Sequence, residues 1–426
     1  LSKVNITSAV FSIKYVEGFL MWLTGSMPTA NDTLPRRGIA ASDIFQLLRG
    51  GEPKSRSELA SSTGMARSTI ADRLEVLTDL GLIAPIADGR STGGRPAVRV
   101  ALVPDSRLIL AADLGARHAR VAVANLLNEP LASSEASIRI SGGPEETLQT
   151  VLSMADELLA EVGRSREDLM AVGLGLPGPV HFETGRPSRP PIMPGWDNYD
   201  VPGWFRRHIS VPVLVDNDVN IMARGEYSQL DDHIEHFLFV KVATGIGAGI
   251  ISGGTLQRGA QGIAGDIGHI RVTSGDGIFC HCGNEGCLEA VASGAAVARQ
   301  LQSSGYEGVE SSRDVVRLVD SGDLTAIQAV RQAGRALGEV LSASINFLNP
   351  QVISAGGMMA AAGEHLLAGV REVVYQRGMP LATQNLDISP ARISREAGLL
   401  GASLLALDHA LSPEGLNALT AHPASG

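Results

Sequence analysis

Cys280-His281-Cys282-Gly283-Asn284-Glu285-Gly286-Cys287 places three thiols within eight residues of a chain that has no other cysteine. Three cysteines cannot pair completely, so disulfides are not expected; a reducing compartment and metal-bound thiolates are. Zinc takes four ligands in a tetrahedron, with Zn–S near ~2.3 Å and Zn–N near ~2.0–2.1 Å. The tight Cys-x-Cys pair and the glycines at 283 and 286 let the loop curl around one ion. A fourth ligand must come from outside the cysteine run. His269, 11 residues upstream in Gly268-His269-Ile270-Arg271-Val272, is the best candidate, on a segment that reads as a strand returning to the loop. His281 competes, although a residue between two cysteine ligands points away more easily than inward. The set His269, Cys280, Cys282 and Cys287 closes the tetrahedron, so the expected zinc is structural and not catalytic.

A second group of residues suits nucleic acid. Residues 1–104 carry 12 basic and 9 acidic groups, whereas 105–426 carry 23 and 36: a mildly basic front on an acidic body. Ser42 is placed to cap a short helix burying Ile44, Phe45, Leu47 and Leu48, and Ser57 to open a second with Leu59 and Ala60. A third runs from about Ala66 to Leu80, with Ile70, Leu74 and Leu77 at i, i+4 and i+7 and Gly81 as its stop. Leu82-Ile83-Ala84, a turn-rich 88–96 and Val98 to Val103 then read as strand, hairpin, strand. Three helices and a wing make a winged helix-turn-helix, whose third helix enters the major groove. With its apolar residues inward, Arg67, Ser68, Thr69 and Arg73 lie on or near the open face, where Arg reads guanine edges and Ser or Thr anchors phosphate or bases. Arg90 and Arg95 sit in the wing. Gly94-Arg95-Pro96 is narrow and extended, the shape that lets Arg enter an A·T-rich minor groove.

The remaining elements must hold the zinc loop and whatever faces it. At 426 residues, 44% apolar and 19% charged, the chain can bury several cores. After Pro104-Asp105-Ser106, two strands flank Asp113-Leu114-Gly115, a helix follows near 145–162, and a buried strand at 170–176 enters Pro177-Gly178-Pro179. Val213-Leu214-Val215 leads into Asp216-Asn217-Asp218. Phe237 to Ile251 repeats the first hairpin around Thr244-Gly245-Ile246-Gly247, and Val352-Ile353-Ser354 feeds Gly356-Gly357. Strands ending in Gly-rich turns and alternating with helices mean α/β layering, here in two similar halves with a cleft between them. No apolar run reaches the ~18–20 residues that span a bilayer, and the reading is a cytoplasmic protein.

Gly175-Leu-Pro-Gly-Pro-Val180, Asp216-Asn-Asp-Val-Asn220, Gly262-Ile-Ala-Gly-Asp-Ile-Gly-His269 and the cysteine loop through Glu289 together resemble the ROK family of repressors, open reading frames and sugar kinases. The resemblance covers about residues 40–410. It implies a bilobal actin-like, sugar-kinase-like (ribonuclease-H-like) ATPase fold, and the winged helix in front matches the repressor branch. By resemblance, Asn217 and Asp218 bind sugar, Asp218 matching the base that deprotonates a sugar hydroxyl in the kinases. Asp266 stands where the family usually has Glu, one methylene longer; His269 both ligates zinc and touches the sugar; and Glu289 completes the polar set. The kinases continue Asp-x-Gly with Gly-Thr, where this chain has Ala116-Arg117. That first phosphate turn is degraded, so ATP and Mg2+ are not expected as cofactors and no phosphotransfer is expected. The second turn, 244–247, is intact.

The expected map is an extension over 1–37, poorly ordered; a winged helix-turn-helix over 38–104; a first lobe over 105–235; a second lobe with the zinc site over 236–398; and a C-terminal helix and tail over 399–426. The expected function is a sugar-responsive transcriptional regulator, a repressor of carbohydrate-metabolism genes. Its partners would be operator DNA, a sugar or sugar phosphate and a second copy of itself, with no membrane. The alternative is an ATP-dependent sugar kinase carrying an accessory DNA module.

Overall fold

The computed structural model describes residues 39–49, 52–86 and 98–421. The extension over 1–37 and the wing residues Arg90 and Arg95 lie outside the described residues.

The reader is built from α1 (Ile39–Arg49), α2 (Arg56–Thr63) and α3 (Arg67–Asp79), with a sheet of β1 (Lys54–Ser55), β2 (Ile83–Ile86) and β3 (Arg99–Leu102). Strand order is β1-β3-β2, one strand more than the expected wing. Two expected caps are replaced. Helix α1 starts before Ser42, at Ile39, and the Ser42 hydroxyl instead donates to the Leu411 carbonyl at 2.9 Å, a tertiary bond no local pattern encodes. Helix α2 is opened by Ser55, not Ser57, because Glu58 stands three residues on and closes a capping box. Glu58 N–H donates to Ser55 Oγ (3.2 Å) and Ser55 N–H to Glu58 Oε2 (2.6 Å), a device worth ~1 kcal/mol. Ile70, Leu74 and Leu77 of α3 are buried as their spacing requires.

The body holds two five-stranded sheets on one plan. In the first, β4 (Leu108–Leu114) pairs antiparallel with β5 (His118–Ala124), and β5 with β6 (Pro130–Ser137); on its other side β4 runs parallel to β7 (Leu169–Leu176), and β7 to β10 (Val213–Asn217). A small antiparallel pair, β8 (Val180–His181) and β9 (Arg186–Pro187), lies between the last two in sequence. In the second sheet, β11 (Phe237–Val242) pairs antiparallel with β12 (Ile246–Ser252), and β12 with β13 (Thr255–Gln257), while β11 runs parallel to β14 (Val352–Gly356) and β14 to β15 (Asp387–Pro390). Every residue of β4 and β7 is buried, as central strands covered on both faces must be. Helix α4 (Pro144–Glu161) covers the first sheet with Leu148, Val151, Leu152, Ala155, Leu158 and Leu159.

Two helices lie between the sheets. Helix α5 (Asp218–Tyr227) packs on β11 and β12, and α9 (Ala397–Ala410) packs on β4 and β7; in chain order between them come α6 (Leu288–Ala292), α7 (Leu324–Leu348) and α8 (Glu364–Arg377). Helices α5 and α9 meet almost backbone to backbone: Gly225 lies on the Ala397 carbonyl and Gly401 on the Ile221 carbonyl, where any Cβ would collide. After α9, α10 (Pro413–Ala421) packs against α1. The reader core of Phe45, Leu48, Ile70 and Leu77 is therefore continuous with Ala406, Leu407, Leu411 and Leu416. Among the described residues, no helix is long and apolar enough to cross a membrane.

Candidate functional site

The segment before the cysteine loop is not the strand expected. Gly265, at φ +95°, turns the chain, and Ile267–His269 forms a 3-10 turn; the extended part that returns to the loop is Arg271, bridged to Cys287. The turn divides the two nitrogens of His269. Nδ1 lies 3.6 Å from Cys280 Sγ, and Nε2 lies 4.0 Å from Asp266 Oδ1. Cys282 and Cys287 sulfurs are 3.6 Å apart, and the four donor atoms all lie within 4.8 Å of one another. Tetrahedral Zn–S bonds of ~2.3 Å imply sulfurs about 3.8 Å apart, so the group can hold a metal ion of that size. His281 is exposed and outside the group. Burial, then the neighbouring Cys282 and Cys280 thiols, push the Cys287 thiol up to about 12. A divalent cation among the sulfurs reverses that cost by favouring the thiolates.

Asn217 is the N-cap of α5. Its Oδ1 accepts from Val219 N–H and its Nδ2 donates to the Gly178 carbonyl, both at 2.8 Å. That ties the Pro177-Gly178-Pro179 turn to the helix Asp218 heads. Asp216 accepts from Asn217 N–H, Asn220 Nδ2 and Arg258 Nε; Arg258 comes from beyond β13 and also lies 3.7 Å over the Phe182 ring. Asp218 accepts from Lys241 of β11. Glu289, at the start of α6, accepts from Ile246 N–H at 3.1 Å, so the zinc-loop helix is bonded to the second Gly turn. Among the described residues, however, no hydrogen bond or ion pair joins Asn217 and Asp218 to Asp266, His269 or Glu289.

The first Gly turn is covered. The His118 ring lies against Gly115, where a Cβ would collide with it. His118 Nε2 is 4.0 Å and Arg120 Nη1 3.7 Å from Asp113 Oδ2. Asp113 and Asp218 are both buried, and burial pushes both carboxyls up, partly countered by the Lys241 charge. Burial and the Arg120 charge hold His118 down at about 4, so it is neutral at neutral pH.

The ROK family pattern matches residues 109–409, and a helix-turn-helix domain pattern matches 40–86. The chain belongs to the ROK family. It is 26% identical over 372 residues to a putative xylose repressor of Caldicellulosiruptor sp., covering 84% of this chain and 92% of that one. A glucokinase of Halalkalibacterium halodurans is 29% identical over 313 residues, covering 70% and 94%. The crystal structure of a ROK family transcriptional regulator, a homolog of E. coli MLC protein, superposes with TM-score 0.78 and 26% identity, covering 90% and 98%. The glucokinase match spans less of the chain than the match to the repressor.

Arg67 and Ser68 are exposed, and Thr69 and Arg73 half-buried, at the start of α3. Asp408 of α9 receives Arg224 of α5 and, at 3.8 Å, Arg49 of α1. One carboxylate therefore joins the helix headed by Asp218 to the reader's first helix. Burial, followed by repulsion from Arg258, lowers Arg224 to about 10. Sequence reasoning missed His118, Lys241, Arg258 and Asp408. For Lys241 a signal existed: it is one of four lysines in the chain and the one charge in Phe237–Val242. For Arg258 and Asp408 the partners are far apart in sequence, whereas His118 lies only three residues from Gly115 and could have been read from its own hairpin.

Proposed function

We propose that this ROK protein is a sugar-responsive DNA-binding regulator, a repressor of carbohydrate genes that acts on paired operator half-sites as a homodimer. The observation that carries this reading is the continuity from cleft to reader. Asp218 heads α5, Arg224 on α5 meets Asp408, and Asp408 meets Arg49 of α1. A ligand with differential affinity for two cleft geometries would bias the reader through that path. Arg67, Ser68, Thr69 and Arg73 would contact the operator, with Arg90 and Arg95 in the wing. Asn217, Asp218, Asp266, His269 and Glu289 would line the sugar pocket. His269, Cys280, Cys282 and Cys287 would hold a structural Zn2+, whose chemistry is to fix the loop, with Asp266 orienting the His269 ring from its far nitrogen.

Support for a regulator comes from the relatives called xylose repressor and transcriptional regulator, and from the helix-turn-helix. Phosphotransfer is not part of the proposal. It needs a backbone turn open to phosphate and a free base, whereas His118 covers the first turn and Lys241 holds Asp218. The test is operator binding by fluorescence anisotropy across monosaccharides and their phosphates, beside a coupled ADP-release assay. One sugar should weaken operator binding by about tenfold or more, a ~1.4 kcal/mol coupling. Operator affinity indifferent to every sugar, with turnover near ~10 per second on one of them, would instead establish a kinase.

A further inference from the structure

Lys241 is a charge where the pattern asks for an apolar or small residue. It lies in the central strand of the second sheet, Phe237-Leu238-Phe239-Val240-Lys241-Val242, whose other five residues are all buried. Its ammonium donates to Asp218 Oδ2 at the head of α5, which packs on the same sheet, and the two side chains are only 20% and 4% exposed. Asp113 of β4 is buried nearby, close enough that its charge and those of Lys241 and Asp218 act on one another. Arg120 reaches Asp113 at 3.7 Å but is shared with Glu135 at 3.4 Å, so it is not a full counter-charge to either.

A Mg2+ ion is ordinarily held by one or two carboxylates together with the phosphates of a nucleotide. The residues present do not fit that group, because the Lys241 ammonium, carried on β11 by its own side chain, is already ion-paired with one carboxylate. We infer that Lys241 is a built-in counter-ion: its ammonium takes the place a divalent metal would take beside Asp218. A neutral, hydroxyl-bearing ligand is accommodated by such a pair, since it can donate to the carboxylate without displacing a metal. A metal–nucleotide complex is not, since its cation meets an ammonium in a poorly hydrated site. Lys241 is thus a specificity-determining residue. The inference rests on the proposed sugar cleft for the ligand it admits, but not for the metal it excludes.

The probe is Mn2+ alone, followed by its electron paramagnetic resonance signal on the zinc-loaded full chain. Lys241→Met should bind one Mn2+ at least about tenfold more tightly than the unaltered protein, since removing one unit charge a few ångströms away is worth that much at an effective dielectric of about 20. Adding Asp218→Asn should abolish the gain, which separates this site from the cysteine loop. Lys241→Arg, which keeps the charge, should not gain Mn2+; Lys241→Gln serves as the neutral variant if the Met variant does not fold. Unaltered zinc content and an unaltered circular dichroism spectrum confirm the fold. Asp218-dependent Mn2+ binding by the unaltered protein, no gain in either neutral variant, or an equal gain in Lys241→Arg would each overturn the inference. If no sugar affects operator binding, the proposed function fails while the Mn2+ result still decides the role of Lys241.

Discussion

The turn between β4 and β5 and the turn between β11 and β12 occupy equivalent places in two sheets of the same topology, yet they are closed by different means. Each carries a glycine with a side chain pressed on it: the His118 ring on Gly115, the Glu289 carboxylate on Gly245. His118 belongs to the same hairpin, three residues on. Glu289 comes from α6, directly after the Cys287 end of the metal loop, and bonds the turn at Ile246 N–H. The first turn is therefore shut locally, and the second is tied to the cysteine loop. A duplicated fold has been specialised by what each half lays over its turn.

The largest expected effect tests that tie. Cys287→Ser should lose the metal, lower the melting temperature on the order of 10 °C, and expose the Ile246 amide to hydrogen exchange. The Gly115 amide, bonded to the His118 carbonyl at 2.9 Å, should keep its protection. Equal deprotection of both amides would break the contrast.

A smaller effect separates the two glycines. Gly115→Ala forces the His118 ring aside and should cost about 1–3 kcal/mol in urea unfolding, as overpacking does. Most of that should return when His118→Ala is added. Gly245→Ala meets only the end of a flexible carboxylate chain and should cost less. The comparison loses its basis if Gly245→Ala is the worse of the two, or if His118→Ala rescues nothing.

The smallest effect is in pH. His118 titrates near 4 when folded against an ordinary 6.5, so the unfolded chain binds its proton first as pH falls. Its contribution to stability is complete above about pH 6.5 and is lost between there and about pH 4. His118→Gln should flatten that part of the urea-midpoint profile, while Glu289→Gln should leave it alone. A profile unchanged by His118→Gln would remove the ring from its place beside Asp113.

Much of this was legible from residue pattern. The duplicated strand–turn–strand units, the spacing of Ile70, Leu74 and Leu77, and the cysteine loop are local signals, written in periodicity and in residue types with few other uses. The capping box at Ser55 and Glu58 is equally local, although Ser57 stands closer to the apolar run and competes with it as a cap. What the sequence could not carry were contacts made at long range. The Ser42 hydroxyl spends its bond on Leu411, 369 positions away, so a good capping residue sits inside a helix. Arg258 finds Asp216, and Lys241 finds Asp218, only once the second sheet is folded against α5. His269 needed a turn and not a strand, because Gly265 redirects the chain before it.

The contact of α5 with α9 has a mechanical meaning. Where Gly225 and Gly401 let carbonyls rest on Cα atoms, no interdigitated side chains have to be lifted out of grooves for one helix to slide along the other. Such a surface behaves as a bearing: it holds the lobes at a fixed separation yet resists shear weakly, the property that sliding domain motions require. A methyl group on either glycine would act as a key driven into that bearing. Gly225→Ala or Gly401→Ala would wedge α5 away from α9, because the new methyl group meets a backbone carbonyl that can yield only if a whole helix moves.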